Sequence, residues 1–577
     1  MAKYLIVGGV AGGATTAARL RRLDEHAEII MFERGKYISY ANCGLPYYIG
    51  GTITDRNELF VQTPQSFFDR LKVDVRTEQE VIDIDREKKT ILIHDIQADK
   101  DYFESYDKLI LSPGAEPIRP PIPGIGDKAI FTMRNVPDTD AIKSYIEENK
   151  VRRAVIVGAG FIGLEMAENL HHLGIKVTIV EMAEQVMTPL DFEMAAEVHQ
   201  HLKTKHVEFY LKDAVKSFER FDDQLAVQLQ SCKWLKTDMV ILSIGVRPDS
   251  KLAAKAGLEL GVGNGIIVND YLQTSDQDIY AVGDAICFNS PITGKQTITY
   301  LAGPANKQGR LCADNIVKGN LHKYEGSIGT AIAKVFDVTV ASTGVSEKLL
   351  KAEGISYLAS IIHASSHAGY YPNALPMSIK ILFEPQHGRL LGAQVIGYDG
   401  VDKRIDLLAT IIKHKETIYD LQTIEHAYAP PFSSAKDPVN IAGFVAENII
   451  NGMVKIMHWN DIHSLDLAKT ILLDVRTKEE YKAGYIKHAI NIPVDELRNR
   501  LSELTKDKKI VVYCAAGQRA YVAARILMQS GFSDVHNLSG GYMTYEHTAK
   551  KQSNEDIFAH DIVGKDDHLY QRGTDKQ

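Results

Sequence analysis

The sequence predicts an α/β protein with several domains, and three patterns support this fold class. Two apolar strands, at residues 4–7 and 154–157, each run into a glycine-rich turn and then a helix, which is typical of nucleotide-binding βαβ units. A third strand, at residues 509–513, runs into a loop that begins with a cysteine and continues as a helix. A chain of 577 residues is long enough for about three or four domains.

The composition is that of an ordinary globular protein, with 45% hydrophobic and 24% charged residues. The net charge of −8 gives no indication of nucleic-acid binding. No apolar run reaches the roughly 20 residues that span a bilayer, and no leader-peptide pattern precedes the first strand. We therefore expect a cytoplasmic protein with neither a nucleic-acid partner nor a membrane segment.

The five cysteines are widely scattered, which argues against a disulfide framework and for a reducing compartment. No two of them have the spacing of a zinc site or of a thioredoxin-type dithiol, so no metal site is predicted. Cys43 and Cys514 lie in distinctive motifs. The other three are predicted to be small buried packing residues: Cys232, Cys287 and Cys312.

The first βαβ unit runs from the strand at 4–7 through GGVAGG at 8–13 and a helix to a second strand that ends at Glu33. Glycines let the backbone approach a pyrophosphate at a helix N-terminus, and the acidic residue binds a ribose hydroxyl. Val10 stands where GxGxxG has its middle glycine.

The segment SYANCGLPY at 39–47 follows this unit and holds Cys43 with no second cysteine nearby. We predict that Cys43 is a redox-active thiolate. Alternation over 80–94 indicates antiparallel strands, and a strand within 106–115 ends at a Ser-Pro-Gly turn.

The second βαβ unit contains a full GxGxxG, GAGFIG at 158–163, and its second strand ends at Glu181. Glu181 would accept a hydrogen bond from a ribose 2′-hydroxyl but would repel a 2′-phosphate, and no arginine follows it closely. The pattern therefore favours NADH over NADPH, although NADPH stays possible.

Further along, TSDQDIYAVGD at 274–284 is typical of flavoproteins with two nucleotide sites, in which the Asp binds the flavin ribityl chain. Residues 325–450 combine strands at 329–336 and 338–343 with a helix at 402–414 and the segment EHAYAPPF at 425–432. After a linker at 451–457, a small α/β unit begins, with DVR at 474–476 and CAAGQR at 514–519. Residues 552–577 are polar and are predicted to be a disordered tail.

The motifs before the linker resemble the single-cysteine coenzyme A-disulfide reductases among the pyridine nucleotide–disulfide oxidoreductases, and the remainder resembles a rhodanese domain. The whole chain is similar to fusions of the two, a group that includes NADH-dependent persulfide reductases. The resemblance implies a homodimer of an α/β protein with two Rossmann-like nucleotide-binding domains, an α+β dimerisation domain and a C-terminal rhodanese α/β domain. The implied bounds are 1–118 with 246–322 for FAD, 119–245 for NAD(P)H, 325–450 for dimerisation and 458–551 for rhodanese.

The resemblance also implies the site residues. FAD would be bound by Gly8, Gly9, Val10, Ala11, Gly12, Glu33, Arg34, Asn42, Val81, Ser112, Gly114, Asp284 and Pro304. NAD(P)H would be bound by Gly158, Gly160, Phe161, Ile162, Gly163 and Glu181. Coenzyme A, as substrate or bound ligand, would contact Arg19, Arg22, Ser39, Asn42, Asn306 and Lys436. One departure is Leu71, where the family can carry a lysine.

The implied reaction is an attack by Cys43 on a sulfur of a coenzyme A disulfide or persulfide, with electrons that pass from NADH through FAD. Tyr370 and Tyr428 of the partner subunit would donate hydrogen bonds to the departing thiolate. Cys514 would handle sulfane sulfur in a loop that Arg519 closes. Many thiosulfate-using rhodaneses have arginine after the cysteine, whereas this chain has Ala515.

Two other functions stay open. The main alternative is an NADH oxidase or peroxidase that cycles Cys43 through sulfenic acid, although the peroxidases carry a histidine where this chain has Ala11. The other is a redox sensor or sulfur-delivery partner that binds FAD without turnover. The sequence does not rank coenzyme A disulfide, coenzyme A persulfide and polysulfide as substrates, nor does it decide whether Cys514 uses thiosulfate or passes sulfur to Cys43.

Overall fold

The computed structural model describes residues 1–221, 224–550 and 563–564, and their contacts divide the chain into two units. The first unit consists of Met1–Met182 and Asp213–Gly329. The second consists of Ala183–Lys212 and the chain from Thr330 on. The predicted tail at 552–577 lies outside the described residues except for 563–564.

Strands and helices alternate through most of the chain. Up to Met182 the strands are β1 (Lys3–Val7), β2 (Glu28–Glu33), β3 (Asp74–Thr77), β4 (Gln79–Asp85), β5 (Thr90–Asp95), β6 (Lys100–Ser105), β7 (Lys108–Leu111), β8 (Ala115–Pro117), β9 (Ile130–Thr132), β10 (Arg153–Val157) and β11 (Lys176–Val180). The helices there are α1 (Ala11–Leu23), α2 (Leu45–Ile49), α3 (Pro64–Leu71), α4 (Val136–Glu148) and α5 (Phe161–His172). The next segment holds α6 (Phe192–Thr204) and β12 (Glu208–Tyr210).

The first unit resumes with the strands β13 (Val215–Phe221), β14 (Gln224–Leu229), β15 (Trp234–Thr237), β16 (Met239–Leu242), β17 (Val246–Pro248), β18 (Ile266–Ile267), β19 (Ile279–Ala281), β20 (Ile286–Asn289) and β21 (Gln296–Thr297). Its last helices are α7 (Lys251–Lys255) and α8 (Ala302–Lys318).

The second unit continues with β22 (Ala331–Val335), β23 (Val338–Gly344), β24 (Leu358–Ser365), β25 (Pro376–Phe383), β26 (Leu390–Gly397), β27 (Lys455–Met457), β28 (Thr470–Asp474), β29 (Tyr485–Ile486), β30 (Ile490–Asn491), β31 (Lys509–Tyr513), β32 (Val535–Leu538) and β33 (Val563–Gly564). Its helices are α9 (Glu347–Ala352), α10 (Val401–Lys413), α11 (Ile418–Thr423), α12 (Pro438–Ile450), α13 (Lys478–Ala483), α14 (Val494–Leu497), α15 (Gln518–Gln529) and α16 (Gly541–Ala549).

Two parallel sheets organise the first unit. One has the strand order β19-β7-β1-β2-β3. The other contains β11-β10-β16-β9 in that order. Their central strands are apolar after the first residue, which is charged in β1, β7 and β10, because helices cover both faces of a parallel sheet. Strands β4, β5 and β6 form an antiparallel sheet, so the pairing predicted from the alternation at 80–94 is confirmed.

The second unit combines an antiparallel sheet with a parallel one. The antiparallel sheet has the order β22-β23-β26-β25-β24. The parallel sheet has the order β27-β32-β31-β28-β30 and carries a separate apolar core on each face. These are the α+β and α/β layouts that the sequence predicts for the chain after residue 325.

The prediction that three cysteines are buried packing residues is confirmed for Cys287 and Cys312 and wrong for Cys232. Cys232 is exposed because it lies in the turn between β14 and β15, where its φ is +68°. A hairpin turn of this kind leaves its side chains in solvent.

A buried lysine, Lys380 on β25, lies at the centre of an ion cluster in the second unit. Its Nζ is 2.9 Å from an Asp191 carboxylate oxygen and 2.7 Å from one of Glu347, and it also contacts Glu193. Burial by itself would raise the pKa of Glu347, but the charge and hydrogen bond of Lys380 outweigh burial and lower it to about 2. The contribution of Glu347 to stability is therefore present above the unfolded pKa of about 4.3 and is lost as the pH falls towards 2.

Replacing Lys380 by Met should lower the free energy of unfolding by about 3–5 kcal/mol at pH 7, because the carboxylates lose their buried cation. Denaturant unfolding of the full chain measures this. Lys334→Met, at an exposed position in the same sheet, is the matched control and should change stability by less than about 0.5 kcal/mol. Equal losses in the two variants would show that the cluster is not a stabilising centre.

Candidate functional site

The first glycine turn leaves no room for a side chain at Gly8 or at Gly13. Gly8 has φ +99°, and a Cβ atom there would lie 2.1 Å from the Ser112 carbonyl oxygen at the end of β7. A Cβ atom on Gly13 would lie 1.9 Å from the Gly8 carbonyl oxygen. Glycine at both positions lets α1 begin directly against the end of β1, with its N–H groups facing outward from the sheet edge.

Glu33, at the end of β2, closes this turn. One of its carboxylate oxygens accepts the N–H of Gly9 at 2.9 Å, and the other accepts the N–H of Gly35 at 2.8 Å. The carboxylate therefore faces the turn, where the sequence predicts that it meets a ribose hydroxyl.

A cavity of about 450 Å³ opens above the turn. All the residues predicted to bind FAD line it except Ala11, Gly12 and Pro304, which lie in the first turns of α1 and α8. The cavity also has lining residues that the sequence analysis did not identify, among them Tyr40, Gln79, Arg134, Pro137 and Lys251. No nucleotide-binding motif contains them, because they come from separate elements and loops that converge only in the fold.

The burial of Asp284 indicates whether the cavity fits a flavin dinucleotide. It lies in a 3₁₀ turn (Gly283–Ala285) after β19 and reaches the cavity. Burial raises the pKa of its carboxyl to about 6. A ligand that brings hydroxyl groups to this oxygen would offset that burial, so the cavity fits FAD with its ribityl chain.

The second glycine turn repeats the geometry of the first. Gly158 has φ +102°, and a Cβ atom there would lie 2.2 Å from the Ser243 carbonyl oxygen. A Cβ atom on Gly163 would lie 2.1 Å from the Gly158 carbonyl oxygen, as for the pair in the first turn. Glu181 accepts the N–H of Ala159 at 2.8 Å.

The other residues predicted to bind NAD(P)H lie where α5 begins. Gly160 caps the helix and has open space around it, while Phe161 and Ile162 form its first turn. The turn thus offers N–H groups and free volume to a pyrophosphate, and Glu181 supplies the acidic group beside it.

Cys43 lies in a 3₁₀ turn (Asn42–Gly44) that leads into α2, and its side chain is exposed. Although the side chain reaches the surface, the protein atoms around the sulfur partly exclude water, and this desolvation raises the pKa of Cys43. The charges of Glu165 and Asp284, which come from distant parts of the chain, raise it further. The residues around Cys43 therefore favour the thiol, and the predicted thiolate needs added stabilisation from a cation or hydrogen-bond donor.

Glu165 is a site residue that the sequence analysis missed. It lies on α5, where α2 packs against that helix, and the Tyr47 hydroxyl donates to its carboxyl group at 3.4 Å. Burial raises the pKa of Glu165 to about 7, against the lowering effect of Tyr47. A carboxyl group that titrates near neutral pH beside Cys43, the predicted redox cysteine, can hold or release a proton there.

The residues predicted to contact coenzyme A in the first unit are held in different ways. Arg19 is paired with Asp314, with nitrogen–oxygen distances of 2.7 and 3.3 Å, whereas Arg22 on the same helix is exposed. Asn306 accepts the hydroxyl of Thr15 at 2.6 Å.

Ser39 and Asn42 flank the cysteine turn. Ser39 has φ +44°, and its N–H donates to the Gly9 carbonyl at 2.8 Å, which ties this segment to the first glycine turn. Asn42 lines the cavity that contains Asp284. Residues predicted to contact the substrate and residues predicted to contact the flavin are therefore adjacent in the first unit.

Two predicted tyrosines come together in the second unit. The hydroxyl oxygens of Tyr370 and Tyr428 are 2.8 Å apart, and both side chains are exposed. The hydrogen bond to Tyr428 raises the pKa of Tyr370. Lys436 is exposed in the segment that follows Tyr428. Because a pair of hydroxyl groups shares one proton in its hydrogen bond, the second proton is free to be donated to a ligand.

Cys514 is buried at the end of β31, at the start of a short loop that leads into α15. Gly517 has φ +110° and donates its N–H to the Cys514 sulfur at 3.1 Å. Arg519 lies in the first turn of α15, and its guanidinium forms two 2.7 Å hydrogen bonds with Glu480. This pairing lowers the pKa of Glu480 to about 2.

The DVR segment at 474–476 lies at the end of β28, which pairs with β31, the strand that leads into this loop. Arg476 binds the Asp474 carboxylate through two nitrogens and donates to the Gly484 carbonyl at 2.6 Å. Its guanidinium also lies 4.0 Å from the centre of the Tyr542 ring. Asp474 and Arg476 thus form a buried ion pair at the end of β28.

Among the residues that the structure describes, no three or more His, Cys, Asp or Glu side chains are arranged to hold a metal ion. Across the same residues, no helix has both the length and the apolar character needed to cross a bilayer.

Three protein families match this chain. Residues 2–309 match the pyridine nucleotide-disulphide oxidoreductases, and residues 330–438 match the dimerisation domain of the same proteins. Residues 459–548 match the rhodanese-like domain.

Similar proteins extend the comparison. The coenzyme A disulfide reductase of Staphylococcus epidermidis is 35% identical over 447 residues, which are 78% of this chain and 100% of that protein. The reduced Bacillus anthracis CoADR-RHD crystal structure is 53% identical, covers 95% of this chain and 98% of its own, and superposes with a TM-score of 0.93. An NAD-dependent persulfide reductase from A. fulgidus is 38% identical, with coverage of 94% and 100% and a TM-score of 0.88.

Replacing Glu165 by Gln should lower the pKa of Cys43, because the substitution removes a negative charge that disfavours the thiolate. At pH 7.5, alkylation of Cys43 by iodoacetamide should then become about threefold faster. Mass spectrometry of the Cys43 peptide across a pH series measures this. Glu184→Gln, at an exposed position, is the control, and an unshifted profile in Glu165→Gln would contradict the electrostatic account.

Proposed function

We propose that this chain, which belongs to the pyridine nucleotide-disulphide oxidoreductase family, is an FAD-dependent enzyme that uses NADH to reduce coenzyme A disulfide and coenzyme A persulfide. Its rhodanese domain would handle sulfane sulfur. The observation that carries the proposal is one exposed cysteine beside a flavin-sized cavity and a second cysteine in a rhodanese-like domain of the same chain. Its relatives are named as a coenzyme A disulfide reductase and a persulfide reductase.

FAD would be held at its pyrophosphate by the turn at Gly8 and Gly9, at a ribose by Glu33 and at its ribityl chain by Asp284. The bound flavin supplies the two-electron chemistry that links NADH to a thiol. Gly158, Gly160 and Glu181 would hold the dinucleotide of NADH. The carboxylate of Glu181 supports NADH rather than NADPH as the reductant, because a 2′-phosphate would be repelled there.

Cys43 is the nucleophile of the proposed reaction. Its thiolate attacks one sulfur of the disulfide, so a Cys43–sulfur bond forms while the substrate S–S bond breaks and a coenzyme A thiolate leaves. Two electrons that NADH supplies then cleave the mixed disulfide between Cys43 and coenzyme A and release the second coenzyme A thiol. With one proton from solvent, the overall balance is NADH, a proton and one disulfide to NAD⁺ and two thiols.

Tyr370 and Tyr428 would stabilise the departing thiolate. Their shared hydrogen bond leaves one hydroxyl proton to donate, and such a donor acts where negative charge develops. We further propose that they act across a homodimer, which the match to a dimerisation domain supports. The free cysteines support a reducing, cytoplasmic location.

Cys514 would carry sulfane sulfur as a persulfide. The N–H group that donates to its sulfur and the helix that starts beyond the loop both favour a negative charge there. Arg519 is bound to Glu480, so its charge is balanced within the protein. Ala515 in place of arginine supports a persulfide of a larger thiol over thiosulfate as the sulfur donor.

Cys43→Ser should reduce NADH-dependent reduction of coenzyme A disulfide by at least about a thousandfold, because the variant lacks the nucleophile. Flavin bleaching by NADH should persist. Steady-state NADH oxidation with coenzyme A disulfide, coenzyme A persulfide, polysulfide, oxygen and peroxide measures this. Cys232→Ser is the matched control at another exposed cysteine. Turnover of oxygen or peroxide without turnover of the sulfur substrates would favour the oxidase alternative.

Cys514→Ser should slow polysulfide reduction by about tenfold or more while it spares coenzyme A-disulfide reduction. The reason is that Cys514 would take up sulfane sulfur and coenzyme A persulfide would carry it to Cys43. The two rates are compared in the same preparation with saturating NADH. If both substrates are reduced at wild-type rates, sulfur does not flow from Cys514 to Cys43.

A further inference from the structure

A polar joint links the antiparallel sheet to the rhodanese-like domain within the second unit. The Ile361 N–H of β24 donates to the Ser539 hydroxyl at 3.1 Å, and this contact is buried. Two residues further along β24, His363 makes two hydrogen bonds of 2.8 Å. Its Nδ1 faces the Ser378 hydroxyl of β25, and its Nε2 faces the Thr544 hydroxyl of α16. His363 therefore connects two domains through both ring nitrogens.

The imidazole of His363 is neutral in this joint. Burial lowers the pKa of His363 to about 3, with a further lowering effect from His547. In a neutral imidazole one nitrogen donates a hydrogen bond and the other accepts one. A hydroxyl group can accept from the first or donate to the second. Burial raises the pKa of the Glu197 carboxyl of α6 to about 7, and the neighbouring Ser378 lowers it. Polar groups of α6, β24, β25 and α16 therefore meet in this joint.

The first turn of α16, which contains the His363 partner Thr544, also binds the backbone of the loop that begins at Cys514. The Tyr542 N–H donates to the Cys514 carbonyl at 2.8 Å, and the Met543 N–H donates to the Ala515 carbonyl at 3.0 Å. Gly541 makes this contact possible, because a Cβ atom there would lie 2.6 Å from the Cys514 carbonyl oxygen. The loop rests directly on the first turn of α16.

Holding these two carbonyl groups sets the direction of the loop N–H groups. In a trans peptide the C=O and N–H bonds point to opposite sides, so carbonyls fixed on α16 turn the following N–H groups away from that helix. The Gly517 N–H, further along the loop, donates to the Cys514 sulfur. A shift of α16 would therefore change the hydrogen bonds offered to a sulfur anion.

We propose that His363 of the dimerisation domain is a positioning residue for the sulfur-transfer site: through Thr544 it fixes the start of α16, and through that turn the loop of Cys514. The proposal rests on the proposed function of Cys514 in sulfur transfer. It makes the antiparallel sheet part of the rhodanese site, so the rhodanese domain depends on the rest of this chain for its working geometry.

The test uses the full-length holoenzyme with Thr544→Val, which removes one hydroxyl at nearly constant shape, and with His363→Leu. His363→Gln keeps an amide group that can bond Thr544. His387→Ala, at an exposed position between β25 and β26, is the control. Two properties of Cys514 are measured: the pH profile of its alkylation, followed by mass spectrometry, and the transfer of sulfur from its persulfide to cyanide. Reduction of coenzyme A disulfide and the thermal midpoint are measured alongside.

Thr544→Val and His363→Leu should slow sulfur transfer about fivefold to tenfold, as expected for the loss of one buried hydrogen bond, and should shift the alkylation profile of Cys514 to higher pH. His363→Gln should restore most of the transfer rate, and coenzyme A-disulfide reduction should stay at the wild-type rate. An unshifted alkylation profile in both variants would overturn the proposal, and so would a parallel loss of both activities with the thermal midpoint. A wild-type enzyme that transfers no sulfur would refute the function of Cys514, and the alkylation profile would then decide the positioning by itself.

Discussion

Both nucleotide sites depend on one steric constraint: no Cβ atom fits where the first strand of each βαβ unit turns towards its helix. The carbonyl at the end of a neighbouring strand lies about 2 Å from where that atom would be, at Gly8 and again at Gly158. This close approach lets each helix begin at the sheet edge. The cavity with Asp284, the N–H groups of both turns and the positions of Glu33 and Glu181 all follow from it.

The two sulfur atoms that the proposed function uses have opposite surroundings. Cys43 is exposed, and the groups that act on it are carboxyl groups, so the protein around it opposes a negative charge. Cys514 is buried, yet a backbone N–H donates to its sulfur and a helix begins just beyond its loop. A thiol that must gain and lose a proton during turnover suits the first environment, whereas a sulfur that carries a stored persulfide suits the second.

Buried polar groups connect separate helices and strands within the second unit. Lys380 binds carboxylates from both α6 and α9, and His363 links β25 to α16. A buried polar group has a directional requirement that an apolar contact lacks, so each of these joints favours one arrangement of the elements. A sulfur site that needs aligned N–H groups benefits from such a constraint.

The amino-acid sequence by itself determined the order of the two βαβ units, both glycine turns, the acidic residue that ends β2 and the one that follows β11, and the two cysteine motifs. Those features are local, because a glycine at a tight turn or an apolar strand before it is set by residues a few positions apart. Only the tertiary structure decided which side chains meet across the chain. The charge of Glu165 acts on the pKa of Cys43 because α2 packs on α5. Tyr47 and its carboxyl partner are 118 residues apart in the sequence, and Arg519 pairs with Glu480 on another helix. Such contacts depend on the packing of whole elements, and no periodicity or spacing along the chain records that packing.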